Sequence, residues 1–118
     1  MQYSPLTLAY LGDAVLELSV RSCLVAKGNK AASTLHKEAL LFVSAKSQSS
    51  AMEKLLDKLS EEELAIYKRG RNAKSATVPK NADVSEYRRA TGFETLLGFL
   101  FLCGEEKRIA EIIDIAFL

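Results

Sequence analysis

Three observations predict an all-α fold of about six helices. Two stretches, Leu6–Val20 and Phe93–Cys103, are helix-long and apolar around most of their circumference, as helices packed inside a core are. Ser or Asp stands where helical segments begin, at Ser4, Ser44, Ser60 and Asp83, and a side-chain oxygen there can cap the first free N–H groups. No segment alternates apolar and polar residues as a half-buried strand does.

Taken in order, Ser4-Pro5 opens the first helix with a cap and a proline at the first helical position, where no N–H is needed. Leu8, Leu11, Val15 and Leu18 recur at three- and four-residue steps as its expected buried stripe. Ala9, Asp13, Glu17 and Arg21 follow one turn apart on another face, and Lys27-Gly28-Asn29 ends the helix. A second helix is expected over about Thr34–Val43. Ser44 caps a third, running to about Leu59 with Met52, Leu55, Leu56 and Leu59 inward. Ser60 to Glu63 reads as a capping box for a short fourth helix ending near Gly70. From Arg71 to Ala82 no periodicity survives; this polar, Pro-containing connection is long enough to be functional. Asp83 to Glu86 repeats the capping box and starts a long helix that Gly104 stops after Cys103. A last helix spans about Glu106–Phe117.

A chain of 118 residues with 48% hydrophobic and 26% charged residues is expected to form one domain, 1–118, with a core of its own. No apolar run reaches the roughly 18 residues of a membrane span, and no basic-then-apolar leader follows Met1, so a cytoplasmic protein is expected. Cys23 and Cys103 lack a metal-ligand spacing and are expected reduced and buried. The net charge is +1, yet Lys68–Arg89 holds seven bases against two acids, while the remainder holds nine bases against thirteen acids. A basic segment on a mildly acidic body points to a localised polyanion contact.

The chemistry concentrates on Asp13 and Glu94. Each lies in one of the two most apolar helices, each beside a helix-interior glycine, Gly12 and Gly98. Glycine costs about 1 kcal/mol against alanine within a helix, so its presence there suggests close backbone approach. Carboxylates withdrawn from water need a partner, and two hard oxygen donors on neighbouring helices suit Mg²⁺. Such an ion activates water and stabilises the leaving oxygen of a phosphodiester. The other reading is a capping or surface-facing acid that falls in an apolar run.

Tyr10-Leu-Gly-Asp-Ala-Val-Leu-Glu-Leu18 resembles the signature helix of the ribonuclease III nuclease domain, and Ala90-Thr-Gly-Phe-Glu-Thr-Leu-Leu-Gly-Phe-Leu-Phe-Leu102 resembles its second acidic helix. Leu35-His-Lys-Glu-Ala39, Val43-Ser-Ala-Lys-Ser-Gln48 and the Lys68–Val84 segment narrow the likeness to the mini-ribonuclease III branch, which lacks a double-stranded-RNA-binding domain. The resemblance covers nearly the whole chain. It implies a homodimeric endonuclease of the ribonuclease III-like helical fold that uses Mg²⁺, with Mn²⁺ as a substitute. Its implied substrate is double-stranded RNA, cut to leave 5′-phosphate ends in maturation of 23S ribosomal RNA, with a ribosomal protein as a further candidate partner. Asp13 and Glu94 match the catalytic, metal-binding acids. Tyr10 matches an aromatic that docks into the partner subunit. Two positions depart from the larger relatives: Ala9 and Thr91 stand where those carry acids, a thinner set that the mini branch shares.

Duplex RNA is recognised by shape, phosphates and 2′-hydroxyls. Lys46, Arg69, Arg71, Lys74 and Lys80 are the expected phosphate contacts, each of which could singly be a solvated charge. His36, the only histidine, is expected in structure or substrate contact rather than catalysis. Glu17 is expected to pair with Arg21, Asp83 to cap the long helix, and Phe99–Phe101 to serve core or dimer surface. Two other functions compete. A silent RNA-binding relative would explain Ala9 and Thr91, and a helical dimerisation module would leave the basic segment unexplained.

Overall fold

The computed structural model describes residues 3–74, 78, 80 and 83–118. They form α1 (Pro5–Lys27), α2 (Ala32–Val43), α3 (Ala45–Leu55), α4 (Glu61–Asn72), α5 (Val84–Leu102) and α6 (Glu106–Phe117), with a 3₁₀ turn at Leu56–Lys58. No strand occurs among the described residues.

The helix starts follow the capping chemistry. Ser4 Oγ accepts from Thr7 N at 3.2 Å, Ser44 Oγ from Ser47 N at 3.2 Å, and Asp83 Oδ1 from Glu86 N at 3.0 Å. At α4 the capping box is complete: Glu63 N donates to Ser60 Oγ (3.1 Å) and Ser60 N to Glu63 Oε1 (2.9 Å). At the end of α5, Glu105 N reaches back to Leu100 O and Gly104 N to Phe101 O. That paired arrangement needs a left-handed residue, which Gly104 supplies at φ +74°.

Caps contribute about 1 kcal/mol each, whereas a fully buried large apolar side chain contributes about 1.5–3 kcal/mol. Leu16, Met52, Leu55, Tyr67, Phe93, Leu96, Leu97 and Ile112 are all fully buried, so packing dominates. Half of these project from α5 or from α1 against it, and α5 is the axle on which α1, α3, α4 and α6 pack. Phe117 stands edge-on to Phe42 (5.8 Å) and Phe93 (6.1 Å), fastening the chain's end to the same core. Glu63 and Arg108 add a two-point ion pair at 2.8 Å, which ties the start of α4 to α6, and Arg108 Nη2 also donates to Lys58 O at 2.8 Å. The guanidinium holds the Glu63 carboxyl below its usual range.

Several expectations need correction. Leu18 is 67% exposed, because only one side of α1 meets the rest of the chain there, and Leu56 is exposed because the 3₁₀ turn breaks the helical register after Leu55. Cys103 is exposed at the α5 terminus and Cys23 is half-buried. The third helix stops at Leu55, and the next turn is 3₁₀. The fourth helix continues past Gly70 to Asn72. Gly70 is a packing point rather than a stop, since a Cβ there would lie 2.2 Å from Thr95 Oγ1. Arg71 and Asn72 are thus helical. Of the connection expected through Ala82, residues 75–77, 79 and 81–82 lie outside the described residues.

Candidate active site

The acid pair is set by how closely α1 and α5 cross. A Cβ built on Gly12 would lie 1.6 Å from the Glu94 carbonyl oxygen, and one on Gly98 would lie 2.0 Å from the Leu8 carbonyl oxygen. Backbone therefore rests on backbone at two points along the crossing, with no room for even a methyl group at either. Asp13 follows Gly12, and its carboxyl lies close enough to that of Glu94 to raise it.

The two acids differ in environment. Glu94 is half-buried, whereas Asp13 is exposed, so the pair lies at the solvent edge of the α1–α5 crossing. This corrects the expectation of two acids deep in the core. Burial is the main cause pushing the Glu94 carboxyl up to about 8; a hydrogen bond from Gln48 opposes the rise, and the charge and hydrogen bond of Asp13 add to it. Near neutral pH the metal-free pair thus keeps a proton on Glu94.

A pair of adjoining carboxyls open to solvent on one side fits a divalent cation. Both donors are hard oxygens, and the like-charge repulsion now relieved by a proton would be relieved equally by an ion. No group of three or more His, Cys, Asp or Glu side chains gathers among the described residues. Two protein carboxylates leave positions for water and phosphate oxygens, as Mg²⁺ sites on phosphate substrates do. Neither departure adds an anion: Ala9 is buried, and Thr91 Oγ1 donates to its own helix at Tyr87 O (3.0 Å).

Gln48 is a polar neighbour that sequence reasoning did not single out. Only 2% exposed, it donates from Nε2 to Glu94 Oε2 (3.3 Å) and to Val43 O (2.9 Å). The Val43–Gln48 stretch contributed to the family resemblance, yet a glutamine carries no chemistry that periodicity or spacing could flag.

The other expected residues lie elsewhere. Lys46 is exposed on the first turn of α3, two residues before Gln48. Arg71 lies 5.7 Å above the Tyr67 ring and donates to Asn72 Oδ1 at 3.1 Å. Lys74 lines a pocket of about 310 Å³ with Val78, Tyr87, Arg88 and Thr91, and Lys80 is exposed. Arg69 lines a different groove, beside Leu8 and Phe99, and donates to Tyr3 O at 3.3 Å, so it is not gathered with Lys74. Tyr10 is 84% exposed. His36 borders a groove between α1 and α2 whose lining includes neither acid. Glu17 pairs with Arg21 at 3.1 Å. Phe99 is half-buried against the core while Phe101 is exposed.

Comparisons with known proteins identify the family. Residues 6–105 match the model of the Ribonuclease III domain. A Mini-ribonuclease 3 from Brevibacillus brevis is 53% identical over 114 residues, covering 97% of this chain and 85% of the relative. One from Thermoanaerobacter sp. is 47% identical over 116 residues, covering 98% and 82%. The X-ray structure of a Fusobacterium nucleatum protein superimposes with a TM-score of 0.86 at 39% identity, covering 97% of this chain and 91% of the other. The chain belongs to the ribonuclease III family of endoribonucleases, in its mini-ribonuclease III branch.

Proposed function

We propose that the chain hydrolyses double-stranded RNA with Mg²⁺, acts as a homodimer, and matures a 23S ribosomal RNA precursor in the cytoplasm, with a ribosomal protein as candidate helper. The observation that carries the reading is the Asp13–Glu94 contact at the solvent edge of the α1–α5 crossing. These two side chains would hold the ion, for which Mn²⁺ can substitute. When bound, a divalent ion neutralises charge on the phosphodiester and makes water a better nucleophile. The protein's own part is to fix both carboxyls on rigid helices and to leave one side open to the substrate.

A duplex has two strands, and a two-fold dimer offers one acid pair to each. Tyr10, Leu18 and Val25 are exposed along α1, and Leu40 and Leu41 along α2, an apolar exposure that suits contact with a second copy. Lys46, Arg71, Lys74 and Lys80 are available to phosphates, and Arg69 extends the cationic surface on the other side of α4.

The test is digestion of a duplex and of its separated strands, with Mg²⁺ or EDTA, using the wild type beside Asp13→Asn. The expected result is Mg²⁺-dependent cutting of the duplex alone, lost in the variant by about 10²-fold or more. Undiminished cutting by Asp13→Asn would remove the acid pair from the mechanism.

A further inference from the structure

Gln48 joins the end of α2 to the acid pair through one amide. It sits on the first turn of α3, and its side chain crosses to α5. Both hydrogens of its amide nitrogen are committed, one to the terminal carbonyl of α2 at Val43 (2.9 Å) and one to Glu94 Oε2 (3.3 Å). The Val43 carbonyl fixes the amide's orientation, because turning it over would set Oε1 against an oxygen that can only accept. In this orientation Oε1 is a buried acceptor without a hydrogen-bond partner among the described residues. Folded proteins leave very few such atoms, so the residue is held here for what its amide nitrogen donates to, the end of α2 and Glu94. The orphaned oxygen is tolerated for the donor on the other side of the amide.

We infer that Gln48 is a positioning residue that fixes Glu94 for metal binding, by holding Oε2 from the side away from bulk solvent so that the carboxylate presents a constant face to the ion. The inference rests on the acid-pair reading above and extends it to a third helix. Glu94 and Asp13 come from α5 and α1, whose separation the Gly12 and Gly98 contacts fix. Those contacts set the backbones but not the rotation of the Glu94 side chain, and Gln48 supplies that constraint. A neutral donor is well suited here, since it binds an ionised carboxylate without competing with the cation, as a lysine or arginine would.

The test is titration of the full-length protein, without RNA, with Mn²⁺, free ion being followed by electron paramagnetic resonance. Gln48→Met, which keeps side-chain length and lacks the donor, is expected to weaken Mn²⁺ binding by about 10- to 100-fold, the usual effect of losing an outer-shell partner. Its melting temperature is expected to fall modestly, because the bond to Val43 O is lost while the orphaned acceptor is removed with it. Ser49→Ala removes the neighbouring buried hydroxyl, which accepts from Arg89 at 2.6 Å and makes no hydrogen bond to Glu94. That variant is expected to bind Mn²⁺ as wild type does, whatever its stability. Should the Met variant fail to fold, Gln48→Asn draws the amide back by one methylene and is expected to weaken Mn²⁺ binding similarly. Wild-type Mn²⁺ affinity in the folded Gln48 variant, or equal weakening by Ser49→Ala, overturns the inference alone. A wild-type chain that takes up no Mn²⁺ overturns the acid-pair reading, and the inference with it.

Discussion

At the scale of single residues, the Glu94 carboxyl is the most perturbed group whose charge matters near neutrality. Its ordinary value of 4.5 rises to about 8, first through burial. Between these values the folded chain holds a proton that the unfolded chain has lost, so metal-free stability should fall as pH rises through that window and level off above it. A cation takes the proton's place, so Mg²⁺ should stabilise more as pH rises from the middle of the window to its upper edge. Thermal melts across the window, with EDTA and with Mg²⁺, check both slopes; a flat metal-free profile would contradict the shift. The same reasoning makes Glu94→Gln a stabilising change at the upper edge, by about 1 kcal/mol or more in the absence of metal, while abolishing cleavage. Glu63 behaves oppositely. Its carboxyl is held low by Arg108, so its contribution is present above the ordinary carboxylate value and is lost as pH falls through the lowered one.

At the scale of elements, the α1–α5 crossing converts two glycines into a site. Gly12→Ala must push α1 off the Glu94 carbonyl, and Gly98→Ala must push α5 off that of Leu8. Overpacking of this kind costs about 1–3 kcal/mol, and more where the obstacle is backbone. Each variant is therefore expected to melt lower, and Gly12→Ala to lose cleavage out of proportion to its lost stability because Asp13 moves with it. Calorimetry beside a duplex-cleavage assay distinguishes the two effects; an unchanged melting temperature would mean that the helices do not touch. Much of this is legible in the sequence. The caps at Ser4, Ser44, Ser60 and Asp83, the stop at Gly104 and the last helix at Glu106–Phe117 all follow from local chemistry, which needs no tertiary knowledge. What local chemistry cannot reveal is which side of an all-round apolar helix the chain itself covers. Leu18 therefore lies exposed, Leu56 falls in a 3₁₀ turn where the helical register is lost, and Gly70 reads as a stop when it is a contact with Thr95.

At the scale of the whole molecule, the apolar residues left outside matter as much as those buried. In the proposed dimer, Tyr10, Leu18 and Val25 along α1 would meet the second copy and put two acid pairs in one particle. In sedimentation velocity the wild type is expected to run as a dimer and Tyr10→Glu as a monomer of intact helical content; a monomeric wild type would contradict the proposed dimer, and an unchanged dimer in the variant would move its interface elsewhere. The acids themselves stand out in the sequence because each interrupts an apolar helix beside a glycine. Gln48 does not, since its importance arises only from where α3 sets it. Nor does the divergence of Arg69 from Lys74, which depends on the side of α4 that each occupies.

The most direct test of the central claim is a crystal of this chain soaked in Mn²⁺ and measured for anomalous scattering. One strong peak touching both the Asp13 and Glu94 carboxylates is the predicted result. Anomalous density only at other side chains, with none at these two acids, would contradict it.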